Sequence, residues 1–274
     1  MPAYADVETQ MPVDDDILQA SGLWLSYGSV QAVRGVSLTI GVGEIVGLVG
    51  LNGAGKTTTL LMLSGVLKPD RGRVLVAGGD PWGDTPVSRA ARSKIGFMPD
   101  VFPVYGRMTG WDYLDFISLL YGVPLSLGRA RAGELAEYLG LETAVLDRPT
   151  SGYSTGMRRK LMLVASAIHR PRFLLLDEPT SGLDPEAQLR FKGWVQDQRA
   201  TGVGVLLSSH SLDLVADCCT TVAIMHQGRL VAMGTLGDLA REYGLPQSKP
   251  EAVFFSAIGA PGMSGGGRTV GGFQ

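Results

Sequence analysis

The eight residues Gly50-Leu51-Asn52-Gly53-Ala54-Gly55-Lys56-Thr57 constrain this chain more than any others. They follow an apolar run, Ile45-Val46-Gly47-Leu48-Val49, and lead into Thr58-Thr59-Leu60-Leu61-Met62-Leu63, so the order is strand, tight loop, helix. This is the spacing G-x-x-x-x-G-K-T in the context it requires. Glycines let the backbone curl until several N–H groups face one concavity, and the helix start behind them adds partial positive charge. A triphosphate fits such a cradle, with Lys56 expected along the β- and γ-phosphates and the Thr57 hydroxyl on Mg²⁺.

Composition narrows the setting. A chain of 274 residues, 45% hydrophobic, buries a sizeable core as one large domain or two modest ones. Its 24 basic and 26 acidic residues nearly cancel, which argues against a nucleic-acid surface. The start carries Asp6, Glu8, Asp14, Asp15 and Asp16 and lacks the basic and apolar regions of a signal peptide. No apolar run approaches the roughly 18 residues that cross a bilayer, so a soluble, cytosolic chain is expected. Cys218 and Cys219 are adjacent, cannot build a framework of crosslinks, and are expected reduced on a helix.

Residues 1–20 are polar and acidic without periodicity and read as a loosely held tail. Leu23, Leu25 and Tyr27 alternate with polar or exposed positions, as do Val36, Leu38 and Ile40, which predicts antiparallel strands joined through Gly28 and Ser29. Further strands are predicted at Arg73–Ala77 and Ile95–Met98. From about residue 100 to 170 the strand pattern gives way to helical spacing, as in Tyr113, Phe116, Ile117 and Leu120, which marks a helical insert. Seven of the 20 aromatics lie between Phe97 and Tyr121, including Phe102, Tyr105 and Trp111, either as the core of that insert or as a face that docks another protein. Continuous apolar runs return at Phe173–Leu176 and Val203–Leu207, of the buried parallel-sheet kind, and Gln227-Gly228 marks a two-residue hairpin. Residues 246–274 hold seven glycines and no periodicity and read as a flexible extension.

The run Leu174-Leu175-Leu176-Asp177-Glu178 puts two carboxylates at the tip of a buried strand. Ligands of doubly wound sheets gather at the carboxyl ends of strands, where the phosphate loop also lies. Asp177 is expected to reach Mg²⁺, and Glu178 to hold the attacking water as general base.

These residues belong to a longer series. Tyr153-Ser154-Thr155-Gly156-Met157, followed by Arg158-Arg159-Lys160-Leu161, resembles the signature motif of the ABC-type ATPases. Pro179-Thr180-Ser181-Gly182-Leu183-Asp184 resembles that family's D-loop, His210 its switch histidine and Tyr27 its adenine-stacking aromatic. The motifs fall in the family's order and cover roughly residues 21–235. The resemblance implies an α/β P-loop NTPase cassette: a mostly parallel sheet core, an antiparallel β subdomain and an α-helical subdomain at about 100–170, within a nucleotide-binding domain of residues 21–245. It implies ATP as substrate with Mg²⁺, contacts from Tyr27, Gly50 through Thr58, Ser154, Gly156 and Asp184, metal contacts from Thr57, Asp177 and Asp100, and catalysis by Glu178 and His210. Each ATP would lie between the phosphate loop of one copy and the signature of a second.

Two departures from the family pattern stand out. Thr155 occupies a position that is usually glycine, and Asp100, in Ile95-Gly96-Phe97-Met98-Pro99-Asp100, occupies the Q-loop position where a glutamine normally ligates the metal. A carboxylate can still bind Mg²⁺ through oxygen, so Asp100 is expected to act when the metal is present. The variant motifs look most like exporters whose membrane-spanning permease is a separate subunit. That partner would dock near Phe102, Tyr105 and Trp111 and hold the cassette at the inner face of the cell membrane. The alternatives are a soluble ABC ATPase acting on ribosomes or DNA, and a cassette that binds ATP without hydrolysing it, which Glu178 and His210 disfavour.

Overall fold

The computed structural model describes residues 16–101, 106–246 and 249–259. The apolar runs make a six-stranded sheet. Strands β3 (Ile45–Val49), β6 (Phe173–Asp177) and β7 (Gly204–Ser209) are buried at every position, as strands covered on both faces must be. With β5 (Ile95–Met98), β8 (Thr221–His226) and β9 (Arg229–Gly234) they run in the order β5-β6-β7-β3-β8-β9. All pairings are parallel except the last, where β9 turns back along β8. That hairpin turns on Gln227-Gly228, both with positive φ as a type I′ turn requires.

Register fixes where the site lies. Val49 pairs with Ser209, and Asp177 with Ser208, so β3, β6 and β7 end at one level along the same edge. A second sheet, antiparallel in the order β2-β1-β4, is formed by β1 (Ile17–Tyr27), β2 (Val30–Gly41) and β4 (Arg71–Val76). Its buried stripe of Val36, Leu38 and Ile40 closes one core over Leu60, Met62 and Leu63 of helix α1 (Lys56–Leu63) and over Val46 and Leu48 of β3. Helix α2 (Pro86–Ser93), capped by Thr85, joins β4 to β5. The opposite face of the main sheet carries α6 (Pro185–Ala200), α7 (Leu212–Cys218) and α8 (Leu236–Glu242).

The insert is helical as predicted: α3 (Gly110–Leu120), α4 (Leu125–Tyr138), two short 3-10 turns at Thr143–Asp147 and Thr150–Gly152, and α5 (Thr155–Ala167). Thr109 and Asp112 form a reciprocal capping box at the start of α3. Trp111 packs partly buried against the insert's core with the Arg129 guanidinium 5.5 Å from its ring centroid. Phe102 and Tyr105 lie outside the described residues.

Two boundaries differ from the sequence reading. The first strand begins at Ile17, with Leu18 and Ala20 buried, because the acidic run stops just short of an alternating apolar segment. Beyond Pro246, residues Pro250–Ala257 form α9, whose Val253 and Phe254 are buried. Cys218 ends α7 and Cys219 caps it. Both are unlinked, and burial pushes the Cys218 thiol up to about 11, which leaves no reactive thiolate there.

Candidate active site

The phosphate loop is held open by its glycines. Gly53 and Gly55 have φ of 79° and 103°, and a Cβ on Gly55 would sit 2.5 Å from the Ala32 carbonyl oxygen on β2. Gly228 of the β8–β9 hairpin donates its N–H to the Ala54 carbonyl at 3.0 Å, which ties the loop to the sheet edge. Helices α2, α3, α5, α6, α7 and α8 each start on a Ser, Thr or Asp side chain that accepts a backbone N–H. Helix α1 starts on Gly55 with no such cap and no acidic residue in its first turn, so its leading N–H groups are left for an anion. Lys56 is buried and donates Nζ–H to the Gly50 carbonyl at 2.8 Å, while the Thr57 side chain faces solvent at the same helix start.

At the tip of β6, Asp177 is 1% exposed. The Ser208 hydroxyl donates to Asp177 Oδ1 at 2.5 Å and accepts the Glu178 N–H at 3.0 Å, so one side chain from β7 orients both acidic residues. Sequence reasoning passed over Ser208; its only signal is the parallel register that sets it beside Asp177. Glu178 has φ of +47°, a left-handed conformation that costs a non-glycine residue on the order of 1–3 kcal/mol and clusters at functional sites. The strain turns its carboxylate toward the loop: Oε1 lies 3.9 Å from Lys56 Nζ, and Oε2 accepts from His210 Nδ1 at 2.8 Å. His210, just after β7, is 70% exposed at its side chain.

Phosphate-loop residues Gly50, Leu51 and Asn52 line a cleft of about 450 Å³ with Ser209, His210 and the α9 residues Glu251, Phe254 and Phe255. A larger cleft of about 930 Å³, lined by Arg131, Tyr138, Arg170, Arg172 and Trp194, shares no residue with it and holds none of the predicted site residues. Of the predicted site residues, Gly50, Leu51, Asn52 and His210 line the smaller one.

Mg²⁺ fits this donor set. Asp177 Oδ2 is buried with no protein partner, and a bare buried carboxylate oxygen matches a hard divalent cation. Asp100 is committed elsewhere: its Oδ1 accepts from Arg159 Nη2 at 3.0 Å on the signature helix α5. The carboxylate expected to serve the metal thus has one oxygen paired with a guanidinium, and its side chain is 48% exposed.

Ser154 caps α5 by accepting the Met157 N–H at 3.2 Å. A Cβ on Gly156 would stand 3.1 Å from the Gly182 carbonyl oxygen, and a Cβ on Gly182 would meet Thr155 Cγ2 at 2.9 Å. The bulkier Thr155 is thus accommodated by Gly182 of the D-loop. Asp184 caps α6 by accepting the Ala187 N–H at 2.8 Å, which holds its carboxyl below the usual carboxylate range. Tyr27 is 52% exposed at the end of β1.

An uncapped helix start with a buried lysine, beside a carboxylate pair and an imidazole at one sheet edge, defines a P-loop nucleoside-triphosphatase. A family model described as ABC transporter matches residues 33–181, and the chain belongs to that family as an ATP-binding, ATP-hydrolysing cassette. It is 35% identical over 228 residues to the linearmycin resistance ATP-binding protein LnrL of Bacillus subtilis (strain 168), covering 83% of this chain and 72% of that one. It is 35% identical over 222 residues to the lipopolysaccharide export system ATP-binding protein LptB of Acidithiobacillus ferridurans, covering 80% and 90%. A solved ATP-binding subunit of an ABC transporter superposes with a TM-score of 0.81 at 30% identity, over 88% of this chain and 99% of that one. The alternative of a ribosome- or DNA-acting cassette finds no support in these relatives.

Proposed function

We propose that two copies of this cassette, or this one and a related one, close on two MgATP and drive outward transport through a separate membrane-spanning subunit. The observation that carries the reading is the Glu178 carboxylate, set between Lys56 and His210 at the mouth of the phosphate loop. Gly50 through Thr58 bind the phosphates, Tyr27 stacks on the base, and Thr57 and Asp177 hold Mg²⁺, which neutralises charge on the β- and γ-phosphates when bound. Glu178 Oε2 accepts the proton of the attacking water, and His210 orients that carboxylate and then faces the γ-phosphate.

The other half of the site comes from the second copy, through the Ser154-capped start of α5, Gly156 and Asp184. Support for a shared site lies in how open this half is: Leu51, Tyr27 and His210 are all exposed. None of the described helices is long and apolar enough to cross a membrane. In this reading the transport path belongs to a membrane-spanning partner, with the cassette on its inner side. Phe116, Leu119 and Leu120 form an exposed apolar stripe at i, i+3, i+4 spacing on α3 and are where that partner docks. Outward direction is supported by the export and resistance roles in the names of the two relatives.

Phosphate release by the purified chain tests the core of this. Hydrolysis is expected to require Mg²⁺, to rise more than linearly with protein concentration, and to fall at least about a hundredfold in Glu178→Gln while ATP binding is kept. Full turnover by a demonstrated monomer, or by Glu178→Gln, overturns it.

A further inference from the structure

The Arg159 side chain, on the signature helix, bonds to two further functional segments. It projects from the second turn of α5 and is 7% exposed. Its Nη1–H donates to the Asp100 carbonyl at 3.0 Å, its Nη2–H to Asp100 Oδ1 at 3.0 Å, and its Nε–H to the Ser181 carbonyl at 3.2 Å. Ser181 in turn closes a turn on Glu178, donating its N–H to the Glu178 carbonyl at 3.2 Å. A single planar guanidinium therefore joins the exit of β5, the start of the signature helix and the loop that leaves the acidic pair. Lysine cannot reproduce this fork, because an ammonium on a flexible stem offers no coplanar donors.

We propose that the Asp100–Arg159 pair is a positioning device for hydrolysis, which fixes the signature helix and the Glu178 turn relative to each other through the Ser181 carbonyl. The inference rests on the reading that ATP is hydrolysed with Glu178 as base. Asp100 then acts through Arg159 rather than on the metal. The carboxylate supplies the charge that a buried guanidinium requires, and a neutral glutamine at residue 100 would leave that charge uncompensated. In this role both are positioning residues, acting through the Ser181 carbonyl and the signature helix.

The test uses the full chain and four variants: Arg159→Lys, Asp100→Asn, their combination, and Glu178→Gln as a control. Arg159→Lys is expected to lower kcat about tenfold or more while affinity for a non-hydrolysable ATP analogue stays within about twofold, since a small misplacement costs rate more than binding. Asp100→Asn is expected to lose about threefold, because the Nη1–H bond to the residue 100 carbonyl survives. The combination should be no slower than Arg159→Lys alone, the signature of two groups acting as one. The Mg²⁺ concentration for half-maximal rate should not move in Asp100→Asn.

Several results overturn the proposal: wild-type kcat in either single variant, losses that multiply in the double variant, or a tenfold shift in Mg²⁺ requirement, which would make Asp100 a metal ligand. Should Arg159→Lys fail to fold, Asp100→Asn decides the matter alone, its side chain being 48% exposed, with a urea midpoint measured beside kcat to show that the variant is folded. An active Glu178→Gln sinks the underlying reading of hydrolysis. An inactive Glu178→Gln beside a fully active Arg159→Lys sinks only this inference.

Discussion

Ser208 donates its hydroxyl hydrogen to Asp177 at 2.5 Å and receives the N–H of Glu178 on the same oxygen at 3.0 Å. The bond fixes the rotamer of a carboxylate that is buried on all sides and leaves only Oδ2 bare toward the expected Mg²⁺. Without the hydroxyl, one carboxylate oxygen and one amide would be buried unpaired.

Ser208→Ala is therefore expected to cost about 1–3 kcal/mol of stability, read as a shift in urea midpoint at constant slope. Groups that orient a metal ligand typically carry about 10–100-fold in metal affinity or activity, so kcat should fall within that span. Unchanged Mg²⁺ half-saturation together with unchanged kcat would show that the strained Glu178 backbone holds its place without Ser208.

The contact between Thr155 and Gly182 makes a second prediction. Gly182 has φ of +76°, and an alanine there would also push its Cβ to 2.9 Å from Thr155 Cγ2. Gly182→Ala should cost about 1–2 kcal/mol from backbone conformation alone, plus the overlap with Thr155. Pairing it with Thr155→Gly should recover the overlap and not the backbone cost. Thermal unfolding of the three variants measures this, and equal losses in the single and double Gly182 variants would show that the overlap is relieved by a simple shift of the loop.

How far the site could be read from the chain depends on whether its geometry is local. Gly50–Thr57 declares itself, because the strand, the glycines and the helix are consecutive, and Asp177-Glu178 is legible because a buried strand points to its own tip. Ser208 was not, since only the parallel register sets it beside Asp177, and no pattern within residues 204–209 encodes a register. Asp100 was read by its position in a motif, and the guanidinium that claims it comes from a helix 59 residues away. Helix α9 was hidden by averaging: the glycines of residues 259–272 mask an eight-residue run that starts on Pro250 and buries Val253 and Phe254. The same averaging over an acidic start hid Leu18 and Ala20 in β1.

The apolar stripe of α3 is separable from the chemistry. Leu119 and Leu120 are 63% and 64% exposed and lie outside the phosphate loop, the acidic strand tip and the signature, so Leu119→Ser with Leu120→Ser should leave basal hydrolysis at its normal rate. Loss of a docking face of this size should shift the chain from the membrane fraction to the soluble fraction of its host by about tenfold, the cost of one or two central anchors. Undiminished membrane association would move the docking surface off α3.

Acid should weaken the fold through His169. The ring lies stacked on Tyr121 with centroids 3.6 Å apart, donates Nε2–H to the Ile95 carbonyl at 3.0 Å, and leaves Nδ1 buried without a partner. Burial disfavours the charged imidazolium and pushes the pKa from 6.5 down to about 4, the hydrogen bond to Ile95 opposing only part of this. The unfolded chain takes up a proton on His169 near pH 6.5, and the folded chain does so only near 4. The stability from a neutral His169 is thus complete above pH 6.5 and lost as pH falls from 6.5 toward 4. At pH 5 the loss relative to pH 7 should be about 2 kcal/mol from this residue. Other groups titrate in the same window, so the informative quantity is a difference. His169→Gln, which keeps an N–H donor and cannot be protonated, should show a shallower fall of urea midpoint between pH 7 and 5 than the native chain. Parallel slopes would assign the acid sensitivity to carboxylates instead, and a higher midpoint for the native chain at both pH values would leave the stack with Tyr121 as His169's whole contribution.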